Sequence, residues 1–323
     1  MTDVPSLGFI DAPMNRAAGL RGDRQWLDRQ LANPASKTVV FVGDRPAIAL
    51  KNPSLAIDYQ SPKIISQMCD EAEFVLLHLN DQGQAVFAVQ LAEEFEHQIS
   101  GGHVTNGRAT GGSPIGDEVK LIDLRSLAMQ AVLPPADLGA LAQGRSLLSW
   151  HAFHRFCSNC GAKTTMADAG FRRDCPECQR QHFPRVDPVV IMLVQHGDQF
   201  LMGRGHNFND NHFSALAGFL EPGETIEAAT RRETFEETGI EIGEVKYLIS
   251  QPWPFPSTLM IGVIGQALTT EITLDREEMA QARWFSFSEI RQMLNNSHPD
   301  GTTLPPPMSI AYQMMRGYLD DVT

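Results

Sequence analysis

The first half of the chain alternates short apolar runs with helical patterns. Four runs have the length and the β-branched content of strands: TVVFV (38–42), PAIAL (46–50), EFVLLHL (73–79) and AVFAVQL (85–91). The turn sequence 81–83 between the last two predicts a hairpin, and the glycine-rich stretch 101–118 predicts a loop. Over residues 123–156 apolar residues recur at helical spacing, which predicts two helices, the second from about Arg145. We therefore expect a mixed α/β domain over residues 1–152.

The second half predicts another α/β domain, at residues 185–323. Its strand-like runs are PVVIMLV (188–194), QFLMGRG (199–205), VKYLIS (245–250) and LMIGVIGQAL (259–268). A helix is expected from near Thr225 to Gly239, because a glycine at the end of a helix readily adopts the left-handed C-cap conformation. The amphipathic stretch 309–321 predicts a C-terminal helix. A cysteine-rich segment, residues 153–184, separates the two domains.

Composition and charge indicate a globular protein and narrow the range of its partners. The 323 residues are 42% hydrophobic and 20% charged, which is enough to form one or more sizeable cores. No apolar run approaches the roughly 18 residues of a membrane span, and the N-terminus lacks a secretion signal, so we expect a cytoplasmic protein with no membrane partner. Because 39 acidic residues outnumber 26 basic ones and leave a net charge of -13, a broad nonspecific grip on nucleic acid is not expected.

Four of the five cysteines form two CxxC pairs. They are Cys157, Cys160, Cys175 and Cys178, whereas Cys69 stands apart as a small apolar residue. Two CxxC turns that aim four thiolates at one point make the closed tetrahedral set of a structural Zn²⁺, and redox-active pairs are the alternative. Four sulfur ligands leave no open position for catalysis, so His151, His154 and His182 are expected to be ordinary polar residues. A zinc ribbon also leaves RNA binding open.

An acidic helix is the second candidate for chemistry. Glu233, Glu236 and Glu237 have the spacing i, i+3 and i+4, which places three mutually repelling carboxylates on one helix face. A cation relieves that repulsion, and carboxylates are the hard ligands that Mg²⁺ or Mn²⁺ prefers when it bridges a protein to phosphates. Arg232 is placed to hold a neighbouring carboxylate by a forked ion pair. The alternative is a solvated acidic surface helix.

The segment SQPWPFPS, residues 250–257, combines three prolines with Trp253 and Phe255. Proline fixes φ and removes a backbone donor, so the segment is expected to be a loop of fixed shape rather than a helix or a central strand. By itself it is compatible with a rigid surface connection whose aromatic residues are pinned into a core. Between two predicted strands it would form a wall at the end of the sheet.

These features together resemble a known family. The pattern Gly218-x5-Glu224-x7-Arg232-Glu233-Thr234-x-Glu236-Glu237-x-Gly239-Ile240 resembles the Nudix box, Gx5Ex7REUxEExGU, of hydrolases that split nucleoside diphosphates linked to another moiety. The zinc ribbon before the box and SQPWPFPS after it are similar to those of the bacterial NADH pyrophosphatases, also known as NAD-capped RNA hydrolases. Two positions depart from the family pattern: Thr234 replaces a bulky aliphatic residue, and Gly170 stands where members can carry a substrate-contacting glutamate. The resemblance implies an α/β (α+β) protein, in which a mixed N-terminal domain and a four-cysteine zinc ribbon precede a Nudix α/β/α sandwich.

The resemblance also implies an activity and a set of site residues. A homodimer that uses Mg²⁺ or Mn²⁺, with one structural Zn²⁺ per chain, would hydrolyse NAD(H) to NMN(H) and AMP, or remove NMN from NAD-capped RNA to leave a 5′-monophosphate end. The implied catalytic glutamates are Glu233, Glu236 and Glu237, which also bind metal, joined by Glu278 as a further metal ligand. The implied substrate contacts are Phe183, Ala217, Phe219, Gln251, Pro252, Trp253, Pro254, Phe255, Pro256, Ser257, Thr258 and Ala311. Phe219 and the partner subunit's Phe183 correspond to aromatic residues that sandwich a base.

Two other functions are compatible with the same features. A broader nucleoside-diphosphate hydrolase would act on ADP-ribose or dinucleoside polyphosphates. An RNA-binding zinc-ribbon protein with an inactive Nudix scaffold would guide an RNA end with Arg172, Arg173, Arg180 and Arg185. The intact glutamates argue against the scaffold, because a purely structural domain has no need to tolerate their repulsion.

Overall fold

The computed structural model describes residues 7–11, 13, 15–51, 54–100, 104–105, 108–109 and 118–322. Most of the predicted loop 101–118 lies outside the described residues. The N-terminal unit consists of Phe9–Arg185 and Pro254–Ser257, and the C-terminal unit of Val186–Trp253 and Thr258–Thr323 with the described residues before Phe9. The predicted ribbon segment falls within the N-terminal unit, and its separation as a third domain stays a prediction. In the described part of the chain, no helix has both the length and the apolar character required to span a membrane.

The N-terminal unit combines one large sheet with helices and two small sheets. Its helices are α1 (Arg24–Ala32), α2 (Pro62–Met68), α3 (Glu96–Ser100), α4 (Leu124–Gln130) and α5 (Pro135–Phe153). Its strands are β1 (Lys37–Val42), β2 (Arg45–Lys51), β3 (Ser54–Ile57), β4 (Tyr59–Gln60), β5 (Val75–Leu79), β6 (Ala85–Leu91), β7 (Val104–Thr105), β8 (Arg108–Ala109), β9 (Glu118–Leu121), β10 (Thr165–Ala167), β11 (Arg172–Asp174) and β12 (Gln181–His182). Short 3-10 helices lie at Ala18–Leu20, Glu93–Phe95 and Asp168–Gly170.

The large sheet contains all four strands predicted in this half of the chain. Its order is β3-β2-β1-β6-β5, with β4 also paired to β1 and β9 also paired to β2. β1 and β6 run parallel, and the other pairs are antiparallel. β1 is buried from Thr38 to Val42, as expected for the middle of a sheet. The predicted hairpin between β5 and β6 is confirmed, with Asn80 N–H donating to the Gln84 carbonyl at 2.9 Å.

The last helix of this unit is longer than the sequence pattern predicted. α5 begins at Pro135 rather than near Arg145 and continues for 19 residues. Proline in the first turn lacks only an amide that has no helical partner there, and Asp137 adds a favourable charge near the helix N-terminus. Buried residues lie on most sides of α5, so the helix lacks the single apolar face by which a surface helix is recognised.

The cysteine segment forms a three-stranded antiparallel sheet in the order β10-β11-β12. Arg173, on β11, is 2% exposed and links this sheet to other parts of the N-terminal unit. Its guanidinium donates to Thr164 Oγ1 at 2.8 Å and to His151 Nδ1 at 2.9 Å, and pairs with Glu73 at 3.0 Å. Because Nδ1 accepts this bond, the proton of His151 lies on Nε2, which donates to the Gly170 carbonyl at 2.8 Å. His151 is therefore a structural residue of a buried polar network.

The C-terminal unit is a sheet covered by helices on both faces. Its strands are β13 (Asp187–His196), β14 (Gln199–Gly205), β15 (Leu216–Phe219), β16 (Ile242–Trp253), β17 (Thr258–Ala267) and β18 (Met279–Ser286). Its helices are α6 (Ile226–Thr238), α7 (Phe287–Leu294) and α8 (Ile310–Asp321). The sheet order is β16-β17-β13-β14-β18, with β15 also paired to β13, and β13 runs parallel to β17.

Two buried clusters lie on opposite faces of this sheet. One joins Phe200 and Phe285 of the strands to Met315 of α8, and the other joins strand residues such as Val190 to Ala229 of α6. Successive residues of a strand point to opposite faces, so one strand supplies both clusters. The predicted α/β/α sandwich is confirmed.

The segment 250–257 is only partly the loop that the sequence predicted. β16 continues to Trp253, so the segment begins as a strand and only Pro254–Ser257 form the turn before β17. β16 lies at the edge of the sheet, where Pro252 is tolerated because an edge strand leaves part of its N–H groups outside the ladder. The Phe255–Pro256 peptide bond is cis.

Candidate functional site

α6 carries the acidic residues and has the predicted bounds. Thr225 caps its first turn by accepting a backbone N–H at 3.2 Å, and Gly239 ends it with a φ of 69°, in the left-handed conformation. Thr234 is fully buried within the helix, and its hydroxyl donates to the Thr230 carbonyl at 2.8 Å. The departure from the family pattern at this position is therefore accommodated, because the helix itself satisfies the hydroxyl.

Arg232 organises the carboxylates around α6. Its guanidinium binds both oxygens of Glu224, at 2.7 and 2.8 Å. It also donates to one oxygen each of Glu233 and Glu236 at 2.9 Å, and to the Phe219 carbonyl at 2.9 Å. The fork on Glu224 lowers the pKa of that carboxyl to about 2. The predicted forked ion pair is confirmed, and the same guanidinium holds two of the three predicted metal ligands.

Glu237 is the buried member of the acidic group. Its residue exposure is 7%, and its Oε2 has no hydrogen-bond partner among the described residues. Burial, followed by the charges of nearby carboxylates that include Glu233 and Glu278, raises the pKa of Glu237 to about 8. The structure thus brings Glu278, from a different segment of the chain, into the electrostatic environment of α6.

The first glycine of the box makes room for the carboxylate of Glu233. A Cβ atom at Gly218 would overlap the carboxylate of Glu233, so any side chain there would displace this carboxylate. Burial also raises the pKa of Glu233. A buried carboxylate oxygen without a partner, beside further carboxylates, fits a bound cation, and oxygen donors are those that Mg²⁺ and Mn²⁺ take.

The four cysteines form the most compact set of metal donors. In the described ranges of the chain, theirs are the only group of three or more candidate ligand atoms that all lie within 4.8 Å of one another. The Sγ atoms of Cys157 and Cys178 are 3.6 Å apart, and those of Cys160 and Cys175 are 3.5 Å apart. Four converging sulfur atoms suit a tetrahedral zinc ion.

Each CxxC pair is shaped by a tight backbone turn. Gly161 N–H donates to the Cys157 carbonyl at 2.9 Å, and Gln179 N–H donates to the Cys175 carbonyl at 3.0 Å. Gly161 and Gln179 occupy equivalent places in the two turns, and both have positive φ, 79° and 60°. His182 approaches the cluster, with Nε2 3.3 Å from Cys157 Sγ. The two turns are therefore alike in geometry although only one contains glycine.

Two predicted base-stacking residues present exposed rings. Phe183 is 58% exposed in the N-terminal unit, and Phe219 is 59% exposed in the C-terminal unit. Ala217, two residues before Phe219 on β15, is also exposed. Exposed aromatic rings of this size are available to a ligand. Their role in substrate binding stays a prediction.

Two other predicted substrate contacts lie inside the C-terminal unit. Gln251 is fully buried, and its amide nitrogen donates to the carbonyls of Gly8 and Met308 at 2.9 and 2.8 Å. Its Oε1 accepts the Ile310 N–H at 2.9 Å, at the start of α8. Ala311 is 2% exposed in the core. The side chain of Gln251 thus connects the end of β16 to the start of α8, and its contact with substrate stays a prediction.

The predicted substrate contacts between β16 and β17 divide between the two units. Pro252, Trp253 and Thr258 belong to the strands, whereas Pro254, Phe255, Pro256 and Ser257 belong to the N-terminal unit. In that unit Phe255 and Pro256 line a cavity of about 610 Å³ together with residues of β1 and α5, and none of the predicted catalytic glutamates lines it.

The sequence interpretation missed two residues, one in each unit, that act on predicted site residues. Asp275 adds to the negative charge that acts on Glu237, and Arg145 contacts the turn 254–257. Asp275 stands in LDREEM, a run of charges close to the predicted Glu278, which was an available signal. Arg145 lies far from any motif in the sequence, so no local signal marked it.

Comparison with known proteins defines the class of this chain. Residues 184–304 match the family model of the NUDIX domain. Residues 153–183 match the NADH pyrophosphatase zinc ribbon domain, and residues 27–150 match the NADH pyrophosphatase-like rudimentary NUDIX domain. Together the three matches cover the glutamate helix, the cysteine cluster and the large N-terminal sheet.

Curated relatives indicate which Nudix proteins the chain resembles. The chain is 43% identical over 197 residues to NAD-capped RNA hydrolase NUDT12 of Homo sapiens, covering 58% of this chain and 43% of that protein. It is 34% identical over 262 residues to NAD(P)H pyrophosphatase NUDT13, mitochondrial, of Homo sapiens, covering 77% and 72%. It is 34% identical over 190 residues to NAD-capped RNA hydrolase NudC of Chromobacterium violaceum, covering 59% and 68%. The chain thus spans less than half the length of NUDT12, and it belongs to the NADH pyrophosphatase family of Nudix proteins.

Proposed function

We propose that this protein hydrolyses the pyrophosphate of NAD(H) to NMN(H) and AMP, and removes NMN from NAD-capped RNA to leave 5′-monophosphate RNA. The observation that carries the proposal is Glu237, a buried carboxylate with an unpartnered oxygen among further carboxylates. A site of this kind suits divalent cations and the phosphates that they bridge. The names of the relatives, NAD-capped RNA hydrolase and NAD(P)H pyrophosphatase, support the choice of substrate.

The glutamates would divide the work of binding metal and moving a proton. Glu233, Glu236, Glu237 and Glu278 would hold Mg²⁺ or Mn²⁺, more than one ion in total. The ions, when bound, supply positive charge to offset the pyrophosphate and lower the pKa of a water. Water oxygen then forms a bond to one phosphorus as the anhydride bond breaks, and a carboxylate of Glu237 or Glu233 accepts the proton. Arg232 keeps Glu233 and Glu236 oriented by donating to one carboxylate oxygen of each at 2.9 Å.

Substrate selection would depend on exposed rings and on the hairpin between β16 and β17. Stacking of a base on Phe219 or on the partner subunit's Phe183 contributes about 1–3 kcal/mol per base. This preference favours a substrate with a base at each end. Ala217, Ala311 and the segment Gln251 to Thr258 would supply the remaining contacts, some of them through backbone atoms.

We assign one structural Zn²⁺ per chain to the four cysteines, supported by their spacing and by the matched zinc ribbon domain. Thiolate ligands favour a reducing compartment, which supports a cytoplasmic location. The proposed domains are residues 1–152, the ribbon at 153–184 and the hydrolase domain at 185–323.

Product analysis tests the activity. The protein is incubated with NADH, with ADP-ribose and with NAD-capped RNA in the presence of Mg²⁺ or Mn²⁺, and the products are separated by chromatography. We expect NMNH and AMP from NADH, and NMN with 5′-monophosphate RNA from the capped transcript. Equal or faster turnover of ADP-ribose would contradict the proposed specificity. Binding of RNA without any hydrolysis would support the inactive scaffold instead.

A mixing experiment tests the proposed homodimer. Phe183→Ala and Glu237→Gln proteins are each expected to be impaired, the first in substrate stacking and the second in chemistry. If the partner subunit's Phe183 completes each site, mixed dimers contain one intact site, and random exchange restores about a quarter of the wild-type sites. Absence of any gain on mixing, with subunit exchange verified, would mean that Phe183 acts within its own chain.

A further inference from the structure

The turn Pro254–Ser257, which we name the hairpin tip, is held by hydrogen bonds from other segments of the N-terminal unit. The Arg145 guanidinium donates to the Pro254 carbonyl, and Ser146 Oγ donates to the Pro256 carbonyl at 3.1 Å. The hydroxyl of Ser257 donates to the Arg185 carbonyl at 3.0 Å. Since Pro254 and Pro256 have no amide hydrogen, their carbonyls are the polar backbone groups that the tip offers at these positions. Two side chains of α5 therefore donate to the carbonyls of both prolines in the tip.

The aromatic ring of the hairpin tip is also enclosed. The guanidinium carbon atoms of Arg145 and Arg125 lie 4.6 and 4.7 Å from the centroid of the Phe255 ring. Phe9 approaches the same ring edge-on, with centroids 6.0 Å apart and planes at 70°. Guanidinium groups at these distances attract an aromatic ring through cation–π contact. The ring is therefore anchored in addition to the backbone.

Arg145 is itself held in position. Its side chain is 16% exposed, and its second terminal nitrogen pairs with Asp44, in the turn between β1 and β2, at 2.9 Å. One planar guanidinium thus contacts a carbonyl, a carboxylate and an aromatic ring at the same time. A lysine ammonium has the charge but not the plane or the fork needed for all three contacts.

We infer that Arg145 and Ser146 are positioning residues for substrate binding. The inference depends on the proposed function, in which Trp253 and Thr258, on either side of the hairpin tip, contact the nucleotide. By fixing both carbonyls of the tip, α5 sets the geometry of the strand ends before substrate arrives, so less conformational entropy is lost on binding. The N-terminal unit thereby acquires a role in substrate recognition without contributing a carboxylate to the chemistry.

The test compares Arg145→Ala, Arg145→Lys and Ser146→Ala with wild type. Arg45→Ala is the matched control, because it also removes an arginine from the N-terminal unit. Arg45 pairs with Glu93 and Glu96 at 2.7 and 2.9 Å, and these contacts do not involve the tip. Steady-state kinetics with NADH gives KM and kcat separately. Hydrogen exchange of the amides in residues 250–258 reports on the tip independently of activity.

We expect Arg145→Ala to raise KM for NADH by about tenfold and to leave kcat within about threefold of wild type, since preorganisation acts on binding. Exchange in 250–258 should accelerate by at least about tenfold. KM and the exchange rate of Arg145→Lys should lie between those of wild type and Arg145→Ala. Ser146→Ala should raise KM by about two- to threefold. A merely structural loss would reduce the active fraction, lowering apparent kcat at constant KM.

Two results would overturn the inference. The first is wild-type KM and exchange in Arg145→Ala, and the second is an equal rise of KM in Arg45→Ala. Failure of the wild-type protein to hydrolyse NADH would instead contradict the proposed function. In that case the exchange data would still decide whether Arg145 holds the tip.

Discussion

The two units of this protein contain nearly the same sheet and differ in what they do with it. In the N-terminal unit the strands β5, β6, β1, β2 and β9 follow one another in pairing, and in the C-terminal unit the corresponding series is β16, β17, β13, β14 and β18. Each series has one parallel pair, formed by its second and third strands: β6 with β1, and β17 with β13. The match of the N-terminal region to a rudimentary NUDIX domain agrees with this comparison.

The two units differ in the helix that precedes the first strand of each series, α2 before β5 and α6 before β16. In the N-terminal unit α2 has seven residues, PKIISQM, without a carboxylate, whereas α6 has 13 and carries the glutamates of the box. The same sheet therefore folds with and without the acidic helix. Three like charges on one helix face destabilise a helix, so their presence in α6 alone points to chemistry rather than to folding.

The largest expected effect distinguishes metal used for folding from metal used for activity. Cys175→Ser should reduce bound zinc from about one per chain to near zero and lower the melting transition of the N-terminal unit by roughly 10 °C or more. Cys69→Ser is the control, because Cys69 lies outside the cluster. Elemental analysis and calorimetry measure the two quantities. A folded, zinc-free wild-type protein would contradict the assignment.

Replacement of the buried glutamate tests whether chemistry belongs to α6 alone. Glu237→Gln should reduce hydrolysis by at least about 100-fold, the size of a general-base effect, while the melting temperature is retained. Gln67→Ala, on α2, is the matched change in the N-terminal unit and should leave kcat unchanged. Near-normal turnover by Glu237→Gln would remove this residue from the mechanism.

A pH titration should separate the stability of the N-terminal unit from that of the C-terminal unit. Burial lowers the pKa of His151 from 6.5 to about 4, and the adjacent Arg173 opposes protonation of Nδ1. Because the folded pKa is the lower one, the stability due to the neutral ring is present above about pH 6.5 and is lost as pH falls through about 4.

Between pH 7 and pH 4 the free energy of unfolding of the N-terminal unit should therefore fall by about 2 kcal/mol less in His151→Gln than in wild type. Chemical denaturation at a series of pH values measures this slope. His196→Gln, an exposed histidine of the C-terminal unit, provides the control. An unchanged slope in His151→Gln would show that the ring titrates freely in the folded protein.

The smallest expected effect concerns the departure within the box. Thr234→Val removes a hydroxyl that is satisfied by its own helix, so the free energy of unfolding should change by less than about 1 kcal/mol and kcat should stay within twofold. Equilibrium denaturation and kinetics with NADH measure both. A larger loss of activity would mean that the threonine has a role beyond packing.

Features encoded by neighbouring residues could be predicted closely. The bounds of α6 follow from Thr225 and Gly239, and the metal cluster follows from two CxxC pairs, because capping and knuckle geometry depend on residues a few positions apart. Strand positions were also predicted, since apolar runs mark a buried sheet. The extent of α5 and the strand character of Pro252 were not, because both depend on burial and on the place of an element in its sheet.

Local chemistry was therefore readable along the chain: four sulfur ligands, a helix of glutamates with its arginine, and a stiff aromatic segment. Tertiary structure alone decided that Oε2 of the buried Glu237 has no hydrogen-bond partner among the described residues, and that the Gln251 amide forms its hydrogen bonds inside the core. It also decided that Arg145 contacts the hairpin tip, 109 positions away in the sequence. Burial and long-range contact change pKa values and hydrogen-bond partners, and neither can be read from residues that are adjacent only in sequence.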